Sequence, residues 1–160
     1  MRFADMKEIK HDLYFSDITE ETEIVTASRT ITESDIMLFA GITGDMNELH
    51  TSATYAEQTQ YGERIAHGLL ILSIAGGLYM RTGYFGRSVI ANLGIQDWTF
   101  NRPVRIGDTI HVQLRLKEKN WIKLQNKGVV VFKVKVINQQ AETVASGLWK
   151  KILCERPAAK

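Results

Sequence analysis

Cysteine is nearly missing from this sequence of 160 residues: Cys154 is the only one. No intrachain disulfide can form, and a reducing, cytoplasmic setting is the expectation. Long apolar runs are missing too. The richest, Leu69 to Met80, is too short to span a bilayer and is interrupted by Ser73, Gly76 and Gly77. The opening residues, Met1 to Glu8, carry no apolar stretch of the kind a secretory signal needs. Also absent are a phosphate-binding loop, the dinucleotide glycine fingerprint, His-Glu-x-x-His, Cys-x-x-Cys and Gly-x-Ser-x-Gly. Asp45, Asn47 and Glu48 could offer oxygen ligands, but no calcium loop follows them. No metal and no redox cofactor is expected.

What is present suits one soluble domain over residues 1–160, with 44% hydrophobic and 24% charged residues. Charge is unevenly placed. Residues 1–63 carry four basic and thirteen acidic side chains, whereas residues 115–160 carry eleven and three. The basic late segment fits either a solvated face or a surface that receives an anionic ligand. It lacks interleaved aromatics and zinc-finger spacing, so nucleic acid is not an expected partner.

The first twenty residues read as an entry segment lying across the domain rather than as core. Glu23 to Ile31 reads as a strand. Thr32 then fits an N-cap with Asp35 at the third helical position, and Gly44 can end that helix. After a loop from Asp45 to His50, Thr51 or Ser52 can cap a short second helix. Ala66 to Met80 is apolar all round, which predicts a helix buried on every side. From about residue 90 the period becomes two. Ala91–Phe100, Ile110–Leu116, Phe132–Val136 and Val144–Leu153 read as strands. Helices followed by strands with short turns predict an α+β antiparallel sheet with helices on one face.

Two short motifs carry chemistry. In Gly44-Asp45-Met46-Asn47-Glu48-Leu49-His50, a carboxylate and an imidazole five residues apart can converge on one point and move protons. Alone, the same residues fit a plain capped turn with a solvated histidine. The second motif is Ala66-His67-Gly68, at the start of the apolar helix. Free backbone N–H groups there can stabilise an oxyanion, and glycine lets a carbonyl approach the amide. His67, among apolar neighbours, is given no proton-transfer role.

Asp45-x-Asn47-x-x-His50 followed by Ala66-His67-Gly68-Leu69-Leu70 resembles the MaoC-like dehydratases, or (R)-specific enoyl-CoA hydratases. The resemblance covers about residues 24–153 and includes Phe100-x-x-Pro103-Val104-x-x-Gly107-Asp108. It implies the hotdog fold, a sheet wrapped around a long central helix and paired with a second hotdog. It implies that Asp45 and His50 activate water and that the Gly68 amide binds a thioester carbonyl. Asn47, His67 and Leu69 are expected at the substrate, Asn47 by orienting the loop. Glu48 stands where family loops often carry proline, and Gly76 where a serine is expected.

The expected activity is reversible hydration of trans-2-enoyl-CoA to (R)-3-hydroxyacyl-CoA by a homodimer or a higher oligomer of dimers. The CoA thioester is substrate rather than cofactor. A hotdog acyl-CoA thioesterase and a non-catalytic acyl-CoA-binding hotdog are the alternatives.

Overall fold

The computed structural model describes residues 12–122 and 125–157. The segment expected as one strand from Glu23 to Ile31 is two: β1 (Glu23–Val25) and β2 (Arg29–Thr30), both antiparallel to the same later strand. Thr26 causes the break. Its N–H donates to the Val112 carbonyl at 2.9 Å, while its hydroxyl accepts the Val112 N–H at 2.9 Å, taking a backbone carbonyl's place in the ladder. Thr26 is buried. Thr26→Val keeps the shape but strands the Val112 N–H, which should cost about 1–3 kcal/mol. A lowered urea midpoint with unchanged slope would show it, and Thr26→Ser should keep most of the loss from appearing.

Helix α1 (Glu33–Thr43) begins and ends where the sequence places its caps. Thr32 Oγ1 accepts the Asp35 N–H, the Asp35 carboxylate accepts the Thr32 N–H, and Gly44 is left-handed at φ 76°. The following loop is shorter than expected. Asn47 caps a four-residue helix, α2 (Glu48–Thr51), so His50 sits on a helical turn. Ser52 then caps α3 (Ala53–Glu57).

Helix α4 (Gly68–Met80) precedes β3 (Val89–Phe100), β4 (Thr109–Ile122), β5 (Lys127–Ile137) and β6 (Thr143–Cys154). The sheet order is β1-β4-β5-β6-β3, with β2 also on β4 and every pairing antiparallel. It holds Leu70, Ile71, Ile74, Ala75, Leu78 and Tyr79 of α4 against buried Val112, Phe132, Val134 and Trp149. This is the hotdog arrangement.

One expectation is met and one needs correction. Helix α4 is not covered on every side within one chain: Leu69, Ser73, Gly77 and Met80 are exposed, as expected of an all-apolar helix against one small sheet. The sheet curves past only part of its circumference. The entry segment is more than a strap: Phe15 and Ile18 are buried in the core, and the Phe15 ring occupies the space a side chain at Gly128 would need. Residues 1–11 lie outside the described residues. Among the described residues, no helix is long and apolar enough to cross a membrane.

Candidate active site

Asp45 follows directly on the glycine that ends α1, and His50 lies on α2. Gly68 is the first residue of α4. His50 and Gly68 line one cavity of about 270 Å³, together with Tyr61, Ile71, Phe100 and Arg102. The His50 Nδ1–H donates to the Ile65 carbonyl at 2.7 Å. A carbonyl can only accept, so neutral His50 carries its proton on Nδ1 and keeps a lone pair on Nε2.

His67 behaves differently from the expectation that it touches substrate. It is 2% exposed and does not line the cavity. Its Nε2–H donates to the Asp45 backbone carbonyl at 3.0 Å, and its ring stacks on His50 with centroids 3.8 Å apart. Buried under the loop, it holds the backbone that carries Asp45 and supports the face of His50. Asn47 is occupied as well. Its side-chain oxygen accepts the Leu49 N–H at 2.9 Å, and its own N–H lies 3.4 Å from Asp45 Oδ1. It shapes the loop and starts α2, and it does not line the cavity. Leu69 points away: it is 60% exposed on the uncovered side of α4.

Asp45, His50 and His67 each bring one donor atom within 4.8 Å of the others. The two imidazoles meet face to face at an interplanar angle of 32°. Lone pairs lie in the ring planes, so stacked rings direct them side by side rather than onto one ion. A carboxylate beside an imidazole with a free Nε2 is instead suited to proton transfer.

Gly68 offers an unpaired backbone donor. Its N–H belongs to the first turn of α4 and has no intrahelical acceptor, and the N-cap His67 offers no side-chain cap. The amide therefore stands free at the cavity wall. The absence of a side chain matters for a reason the sequence does not reveal. A Cβ on Gly68 would lie 2.8 Å from the Phe100 ring, so that ring occupies the space a side chain would need.

Residues 16–140 match the MaoC like domain. The chain belongs to the MaoC-like dehydratase family. Protein MaoC of Klebsiella aerogenes is 41% identical over 106 residues, 66% of this chain and 31% of that protein. The chain thus spans about a third of that relative's length. The (R)-specific enoyl-CoA hydratase of Rhodospirillum rubrum is 35% identical over 129 residues, 76% of this chain and 84% of that enzyme. Among solved structures, the monoamine oxidase regulatory protein from Archaeoglobus fulgius superposes with a TM-score of 0.84 at 39% identity, covering 93% of this chain and 99% of that one.

Several cavity residues of this MaoC-like domain carry no sequence signal of their own. Tyr61 comes from the turn after α3, Arg102 from the turn after β3, and Val144 and Ala145 from the start of β6. Phe100, Pro103 and Val104 lie in a recognisable motif, but that motif gives no hint that the Phe100 ring meets Gly68.

Proposed function

We propose that this MaoC-like domain adds water reversibly to a trans-2-enoyl-CoA, giving an (R)-3-hydroxyacyl-CoA. One observation carries the reading: a proton acceptor, His50 Nε2, and an unpaired backbone donor, the Gly68 N–H, line the same cavity. Hydration of an enoyl thioester needs those two functions on opposite ends of one conjugated system. The hydratase and dehydratase names borne by relatives point to the same reaction.

The thioester carbonyl accepts the Gly68 N–H. Water lies between Asp45 and His50, and His50 Nε2 removes its proton as the oxygen bonds to the β-carbon. Negative charge moves to the thioester oxygen, where a fixed amide favours the transition state over the substrate. The imidazolium, with the Asp45 carboxylate beside it, returns a proton to the α-carbon. The elements of water are then both on the product, and His50 is neutral again. No cofactor takes part in these steps.

The test is loss of absorbance at the enoyl thioester band across a panel of chain lengths, with chiral analysis of the product. Release of free CoA without loss of the double bond would reject hydration in favour of thioester hydrolysis.

The active species in this reading is a homodimer. Leu69 and Met80 of α4 and Ile90 of β3 leave large apolar side chains facing water on a single chain. Such side chains on a water-facing surface call for a partner. Sedimentation should show a dimer at micromolar concentration. A stable, fully active monomer would contradict it.

A further inference from the structure

Strand β6 alternates inward and outward, and its inward row runs Trp149, Lys151, Leu153. A lysine occupies a position whose neighbours in the row are tryptophan and leucine. Lys151 is 5% exposed. Its Nζ lies 4.4 Å from the centroid of the Tyr79 ring and 5.1 Å from that of Trp149, and it donates to Asn92 Oδ1. Among the described residues no carboxylate lies within 4 Å of it. Buried charges are ordinarily paired. Here two aromatic faces and one amide are all that compensate the ammonium, and burial lowers its pKa to about 8.

Lys151 forms part of the wall of a second cavity, of about 520 Å³. The rest of that wall is largely apolar, with Leu72 and Gly76 from α4 and Leu93 and Ile95 from β3. Trp149 lines it too, and the Trp149 indole N–H is buried without an acceptor. The cavity thus combines a greasy wall with two donors short of an acceptor.

Its position relates it to the active site. Both cavities are lined by the same three elements, α4, β3 and β6. Gly68 and Ile71 face the first and Leu72 and Gly76 the second. Phe100 and Ala145 pair in the register at the first, and Asn92 and Lys151 at the second. From Gly68 to Gly76 the helix advances about 12 Å at 1.5 Å per residue. An acyl chain held at the Gly68 amide would have to span about that distance along the seam to reach Lys151.

The geometry points to Lys151 as a specificity-determining residue that binds a carboxylate at the far end of the acyl chain, so that the substrate class is the CoA monothioester of an unsaturated dicarboxylic acid. This rests on the hydratase reading for the reaction, but the binding claim is separable from it. The carboxylate would take the ammonium protons that Asn92 leaves free, and the methylene chain would cover Leu72, Leu93 and Ile95.

The experiment compares trans-2-decenoyl-CoA with trans-2-decenedioyl-CoA, the latter carrying a free carboxylate at the end remote from the thioester. The saturated thioesters decanoyl-CoA and decanedioyl-CoA provide the matching binding measurement, read by tryptophan fluorescence. In the parent protein, kcat/KM and affinity should each favour the carboxylated compound by at least tenfold. Lys151→Met, similar in length and apolar, should abolish or reverse that preference while melting no lower than the parent.

Tenfold tighter binding of decanedioyl-CoA without turnover of either enoyl thioester would reject the hydratase reading and leave Lys151 in its role. Efficient hydration of both, with no preference or with a preference that Lys151→Met leaves intact, would overturn the proposal and keep the hydratase. Failure of both saturated thioesters to bind, together with a shift in dimer dissociation in Lys151→Met, would assign the cavity to subunit contact and also overturn it.

Discussion

His50→Ala should lower kcat/KM for hydration by at least a hundredfold, because a positioned proton-transfer group contributes about 10²–10⁴ in rate. The lost hydrogen bond to the Ile65 carbonyl lies at the edge of a cavity open to water, so the fold should survive. Asp45→Asn should fall by a similar factor. Its backbone carbonyl, which His67 holds, is untouched, and its side chain is exposed. The two losses should not multiply. Both groups act on one water and one proton, and residues acting as a unit show strongly non-additive effects. The double variant should therefore resemble the worse single one. Near-parental activity in both single variants, measured at the enoyl band, would remove the proposed chemistry from this site.

The second large effect concerns the Gly68 amide. Proline at this position deletes the N–H and is compatible with the first turn of a helix. Turnover should drop by about 10²–10³, the usual consequence of losing one oxyanion donor. Phe100 complicates the comparison, since proline and alanine both bring a Cβ to within 2.8 Å of its ring. Phe100→Leu separates the two causes. With the ring gone, Gly68→Ala should regain most of its activity, since its only fault was crowding. Gly68→Pro should stay slow in the same background, since the donor is still missing. Full recovery of the proline variant would mean that space, and not the hydrogen bond, is what glycine provides.

Local rules carry much of this fold. The Thr32–Asp35 box and the left-handed Gly44 involve residues close in the chain, and their chemistry is readable without knowing what lies around them. Strands β4, β5 and β6 are legible for a related reason: one wet face and one buried face leave a period of two. Thr26 is different. Only the register of β4 makes its hydroxyl a ladder acceptor, and a threonine in a β-branched run reads as ordinary strand. Glu48 to His50 read as loop because a four-residue helix is too short to produce a period.

The candidate site divides in the same way. Asp45, His50 and Gly68 stand out in the sequence because the proposed chemistry would need those groups at that spacing; His50 and Gly68 line the cavity, and Asp45 lies on the exposed loop beside it. Asn47, His67 and Leu69 share the same motifs but serve a cap, a buried support and an exposed face, which are properties of packing. Lys151 illustrates the converse. A lysine in an alternating strand is ordinarily read as outward, and only the position of β6 behind α4 turns it inward.

Strand β3 ends the sheet, and it is not a smooth edge. Its pairing with β6 shifts register between Val89 and Ala91, between Asn92 and Gly94, and between Gln96 and Thr99, and Asp97 is left-handed at φ 51°. A straight, regular border would accept almost any extended peptide and invite runaway stacking of chains. Bulges bend the strand and interrupt its unpaired N–H and C=O groups, so an indiscriminate visitor meets only short matching stretches. A neighbour that follows the same contour meets more. The irregular border is a poor template for passing chains, a protection against indiscriminate stacking written into the backbone itself.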